Sequence, residues 1–172
     1  DKFSLRSGLL WHEITRENKK LGLSADILNF VPVSGEPVEI MRVTVKNTGR
    51  KKVRFIPTAA IPIYGRGANN LRDHRHVTSL LQRPSCRRFG VTTKPTLVFD
   101  EAGHRPNKTT YFVLGWDENF RPPQYLYPTQ ETFCGDAGDL EAPQSVLENK
   151  RPEKGKACGT EPMGALRFRE IS

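Results

Sequence analysis

The sequence predicts an all-β fold, an antiparallel sandwich with long loops and few short helices. Three observations carry this. The dominant hydrophobic period is two: Met41-Arg42-Val43-Thr44-Val45-Lys46 alternates strictly between apolar and polar, which marks a strand with one apolar face. Thirteen prolines and fourteen glycines in 172 residues punctuate the chain too often for long helices. Helical spacing is sparse, with one or two turns expected over 74–83 and another short helix over 142–149.

In chain order, Leu21, Leu23, Ala25, Ile27 and Val31 alternate with smaller or polar residues and read as a long strand. The strand at 41–46 follows and ends at Asn47-Thr48-Gly49-Arg50, residues with turn chemistry. Val53, Phe55, Ala59, Ile61 and Ile63 form the next strand, expected as its antiparallel partner. Pro57 and Pro62 lack the N–H that a ladder needs, so this strand is bulged or lies at an edge. Segments 95–99 and 109–115 flank a loop and read as a hairpin-like pair. Tyr111, Phe112, Val113 and Leu114 are apolar on both faces, as in a strand sandwiched between layers. Short strands are expected at 124–127 and 129–133. Leu166 and Phe168, with Arg167 and Arg169 facing the other way, give a last strand. Two long irregular stretches, 65–88 and 135–164, remain; loops of that length inside a β domain are more often functional than idle.

Composition narrows the function. A chain of 19.5 kDa is one domain's worth or a large fragment, and buries roughly 70% of its unfolded surface. The expectation is a single β-sandwich domain over 1–172, an excised or partial module of a larger enzyme, since the chain begins at Asp1 and ends in a strand-like segment. No apolar run approaches about 18 residues, so no transmembrane helix is expected; no secretory signal is visible and no membrane partner is expected. Lys and Arg outnumber Asp and Glu by 27 to 19, a net +8. The basic residues are dispersed in short groups without a nucleic-acid motif, so they read as a solvated surface and no nucleic-acid partner is expected. Cys86, Cys134 and Cys158, odd in number and without a CxxC pair, fit neither a disulfide framework nor a zinc site and point to a reducing cytoplasm.

For nucleophilic or phosphate chemistry there is no G-x-S-x-G, no Walker loop and no dinucleotide fingerprint. Asp117, Glu118, Glu131, Asp136, Asp139 and Glu141 supply carboxylates, but glycosidase work needs two of them facing across a pocket, and their frequency is ordinary. No catalytic residue is assigned. His74 and His76 share a strand face by spacing, yet lack a third ligand and sit among arginines that repel a cation, so no metal is expected. The donor-rich loop that Tyr64 opens is the candidate site: Arg66, Asn69, Asn70, Arg72, Asp73, His74, Arg75 and His76. Planar amide and guanidinium donors beside an aromatic face suit sugar hydroxyls. Trp116, with Tyr125 and Tyr127, reads as rim packing ahead of a sugar platform.

Several segments together resemble a known family. They are MRVTVKNTG at 41–49, IPTAAIPIYGR at 56–66, NLRDHRHVTSLL at 70–81, KPTLVFDE at 94–101 and TYFVLG at 110–115. This ordered series is similar to the inverting disaccharide phosphorylases, which include cellobiose and chitobiose phosphorylase and were formerly glycosyltransferase family 36. The resemblance covers most of residues 20 to 145. It implies an N-terminal β-supersandwich similar to the galactose mutarotase-like fold, set in a parent whose catalytic (α/α)6 barrel is not in this chain. Such a parent uses inorganic phosphate as co-substrate to split a β-glucoside with inversion, releasing a sugar 1-phosphate. No other cofactor is implied. The implied partners are the parent's own barrel, a second copy in a homodimer and an oligosaccharide, with the 66–76 loop approaching the sugar pocket. The family's sandwich is usually longer, and 83–89 is less regular than its pattern. The function expected is therefore a non-catalytic, cytoplasmic β-sandwich module that scaffolds the barrel, aids dimerisation and lines the sugar site; the alternative is a free-standing carbohydrate-binding module.

Overall fold

A computed structural model describes residues 2–64, 75–98, 103–152 and 160–172, and the side chains of these except at 75–77. The described chain is mostly antiparallel strand with three short helices: β1 Lys2–Gly8, β2 Trp11–Asn18, β3 Leu23–Phe30, β4 Ile40–Asn47, β5 Thr58–Pro62, α1 Arg75–Leu81, β6 Pro84–Arg87, β7 Gly90–Thr93, β8 Leu97–Val98, β9 Arg105–Pro106, β10 Tyr111–Leu114, β11 Tyr125–Thr129, α2 Gln130–Cys134, α3 Gln144–Leu147 and β12 Pro162–Arg167. The all-β expectation therefore holds. The chain divides into two compact units, one reaching Phe55 and the other running from Ile56 to Ile171.

The first unit is a four-stranded meander in the order β1-β2-β3-β4. Its register puts Leu5, Ile14, Ile27 and Val43 in one cross-strand row, with Phe3, Ala25 and Val45 in the next row on the same face. Arg16 in that row, and Ser7, His12 and Asn29 in the row beyond Leu5, share this face, while the opposite face carries polar residues together with Trp11, Leu28, Phe30 and Ile40. There Arg6 bonds Glu13, Thr15 Oγ1 donates to Asp26 Oδ1 at 2.9 Å, and Lys46 Nζ donates to Asp26 Oδ2 at 3.1 Å. The turn after β4 closes onto Gly22, whose carbonyl accepts from the amides of Thr48 and Gly49. Gly22 has φ +64°, a conformation glycine adopts without a Cβ penalty.

The second unit is layered. Strands β10-β7-β6 form one sheet and β11-β12-β5 another, with β12 against β7 and β10. Gly164 lies so close to β10 that a Cβ there would meet Val113 Cβ at 2.2 Å. Alternation then turns Met163, Ala165 and Arg167 to the other side of the same sheet, where Tyr127, Phe133, Cys134, Met163 and Ala165 form the core cluster. Phe133 and Cys134 belong to α2, so β12 is covered by a sheet on one face and by helix on the other. That accounts for burial along all six of its residues.

Four local expectations are corrected. Strand β5 pairs with β12 rather than with β4; β4 already has β3, and the chain between Asn47 and Thr58 forms no ladder. β5 does lie at a sheet edge, as its prolines require. Residues 130–134 are helix, not strand, because Thr129 and Thr132 cap each other reciprocally at its start. The pair expected between 95–99 and 109–115 splits: β8 pairs with β9, and β10 pairs with β7. Strand β10 is covered on one side only, with Phe112 49% and Leu114 44% exposed. Strands β1, β2, β6, β7 and β9 were not anticipated.

Candidate functional site

The expected sugar loop is only partly described. Tyr64 follows β5 directly and is 64% exposed, as a stacking residue must be. Arg66, Asn69, Asn70, Arg72, Asp73 and His74 lie outside the described residues. Arg75 and His76 open α1, in agreement with the short helix expected there. The described residues on either side are tied down: the Ile63 amide donates to Pro162 O at 3.0 Å, and Gln82, just after α1, is 2% exposed and accepts from Thr93 Oγ1 at 2.8 Å.

The three aromatic residues weighed as a platform part company. Tyr127 is fully buried, edge-to-face with Phe133 at 5.6 Å between ring centroids, and its hydroxyl donates to Lys150 O at 2.7 Å. Tyr125 is half-buried, with the Arg151 guanidinium over its ring. Both are packing residues. Trp116 is 55% exposed and stacks on Phe120, which the sequence reading had not singled out and which is 75% exposed. A turn centred on Asp117 holds the pair. Asp117 Oδ1 accepts from the amides of Asn119 and Arg121, and Oδ2 accepts from Arg121 Nε at 2.7 Å. Partial burial works against charge on this carboxyl, but these hydrogen bonds outweigh it and hold its pKa below the usual carboxylate range.

Two further carboxylates brace loops. Asp139 Oδ1 accepts from the amides of Glu141 and Ala142, both at 2.8 Å. Glu148 accepts from Gln144 and pairs with Lys150. Cys134 is buried in the core, where burial and, secondarily, Asp139 push its thiol pKa up, opposite to what a nucleophile needs. Among the described residues no three His, Cys, Asp or Glu side chains converge to hold a metal, and no helix is long and apolar enough to cross a membrane. His12 Nε2 accepts from Asn29 Nδ2 at 2.9 Å across β2 and β3.

Arg167 was expected on the polar face of a last strand, and that face is covered. It is 4% exposed, donating to Ser145 O at 3.2 Å and to Asn149 Oδ1. It thus ties α3 and the following turn to the sheet through neutral oxygens. No sequence signal marks this, since an arginine alternating with leucine reads as solvent-facing.

With fold and sites in place, the described chain is an all-β protein with exposed aromatic residues. No protein-family model matches the chain, and no curated protein matches it.

Proposed function

We propose that this chain is a non-catalytic β-sandwich module of a glycoside phosphorylase-like, carbohydrate-active enzyme, which scaffolds the catalytic (α/α)6 barrel, aids dimerisation and lines the sugar entrance. One observation carries the scaffolding part. The apolar face of β1-β2-β3-β4 is open: Phe3 is 62% exposed, Leu5 58%, Val43 49% and Val45 39%. An antiparallel sheet solvates its polar face and buries its apolar one against another layer. The Arg6–Glu13, Thr15–Asp26 and Lys46–Asp26 pairs occupy the middle of the other face, so the Phe3, Leu5, Val43 and Val45 patch is the surface offered to a further layer, and large exposed apolar patches mark interaction surfaces. The ordered motif series between residues 41 and 115 supports the carbohydrate-active parent. Tyr64 and the loop it opens provide the sugar-facing edge.

The test mixes the chain with the barrel of a cellobiose phosphorylase expressed without its own sandwich domain. A complex on size exclusion that Leu5→Lys and Val43→Lys abolish, with phosphorolysis of cellobiose seen only in the complex, is the expected outcome. Glycoside turnover by the chain alone, or a complex indifferent to both substitutions, refutes it. A chain that stays monomeric, ignores the barrel and binds gluco-oligosaccharide is a free-standing carbohydrate-binding module instead.

A further inference from the structure

We propose that Trp116 and Phe120 form a stacking platform for the pyranose rings of a neutral oligosaccharide, a site carried by the turn that follows β10. The sugar class rests on the carbohydrate-active reading above; the geometry of the platform does not.

The local chain explains how the platform is built. The Gly115 amide donates to Phe89 O at 2.8 Å, extending the strand one residue past β10. Gly115 faces inward, where a Cβ would meet Leu166 Cδ1 at 2.7 Å. Alternation therefore aims Trp116 outward, in line with exposed Phe112 and Leu114. The Asp117 turn then reverses the chain and returns Phe120 to Trp116, with ring centroids 6.3 Å apart and planes 20° from parallel.

Two costs coincide at Phe120. Its φ is +55°, the left-handed region that bulky side chains avoid, and its ring is 75% exposed. Glycine would remove the strain and any polar residue the exposure, so a turn under selection for stability alone would carry neither cost. Co-located strain and exposure point to ligand contact. The rings offer flat apolar faces, and exposed Glu118 and Asn119 beside them offer acceptors and donors. A pyranose has the matching two-sided chemistry: C–H groups on its face and hydroxyls at its perimeter. A nucleobase would also stack, but Asp117 is neutralised by Arg121 and the remaining exposed charge beside the rings, Glu118, disfavours a phosphodiester backbone. The charge of the rim selects a neutral sugar.

The test uses the whole chain with Trp11→Phe, so that Trp116 is the sole indole, and cellopentaose as the probe. A saturable change in Trp116 emission is expected. Phe120→Gly should weaken binding at least tenfold while leaving the thermal midpoint unchanged or higher, because the strain is relieved. Calorimetry should show binding lost in Trp116→Ala. No saturable change at millimolar cellopentaose with folded protein overturns the proposal. Sugar binding that neither substitution weakens also overturns it, while leaving the carbohydrate-active reading intact. A response to single-stranded oligonucleotide in place of sugar, or a dimer that Trp116→Ala turns to monomer, assigns the platform to another partner and overturns it as well.

Discussion

Thr58 and Arg167 stand opposite one another on β5 and β12, and each departs from the usual behaviour of its residue type. Thr58 Oγ1 is buried without a hydrogen-bond partner. A buried hydroxyl that bonds to nothing loses its hydration and gains no replacement, at a cost of about 1–3 kcal/mol. Thr58→Val keeps the shape and the strand preference, so it should stabilise the protein by about 1 kcal/mol, read as a higher urea midpoint at unchanged slope. A lower midpoint would mean that the hydroxyl has a partner in solution. Arg167 shows the limit of reading at this scale. The sequence told which face of the strand it occupies, because alternation is a local property. It did not tell that α3 covers that face, since a guanidinium satisfied by a carbonyl and an amide oxygen leaves no pattern in the chain.

At the scale of elements, local chemistry and long-range pairing were unequally legible. Strands β3 and β4 were readable because apolar and polar residues alternate through Leu23–Ile27 and Met41–Lys46; α1 and α3 were readable from what interrupts them. The helix at 130–134 was missed, although Thr129 and Thr132 bear the capping hydroxyls, because Thr, Phe and Cys also favour strands. The pairing of β5 with β12 joins residues about a hundred positions apart, and no local signal encodes such a choice. The polar face of the first sheet yields a prediction that depends on pairing. Hydrogen bonds from Lys46 and then Thr15 outweigh slight desolvation and lower the Asp26 pKa from its ordinary 3.8. A carboxyl whose folded pKa is depressed contributes stability that is fully present above its unfolded value and is lost as pH falls through the folded one. The urea midpoint should therefore be level from neutrality to about pH 5 and fall below about pH 4. Asp26→Asn should lower the plateau and flatten part of the acid limb; an acid limb identical in both proteins would show that this pairing does not hold in solution.

For the whole molecule, the all-β architecture was legible and its completeness was not. Period-two patterning says that a strand has an apolar side, but it does not say whether the same chain supplies the layer that covers it. In the second unit the chain does: α2 covers Tyr127, Met163 and Ala165 on one face of the β11-β12-β5 sheet, and the β10-β7-β6 sheet packs on the other face of β12. In the first unit Leu5 and Val43 lie in one cross-strand row and stay open to solvent. Lysine distinguishes these situations sharply. At a core position it strands a charge away from water and costs several kcal/mol. At an open position it changes stability by no more than about 0.5 kcal/mol, while destroying the apolar surface that a partner layer would use. Leu5→Lys with Val43→Lys should therefore leave the urea midpoint nearly unchanged, reduce binding of an apolar dye such as ANS, and reduce concentration-dependent self-association in sedimentation. A loss of several kcal/mol would mean that this face is already covered within the chain, and the scaffolding role would lose the surface on which it depends.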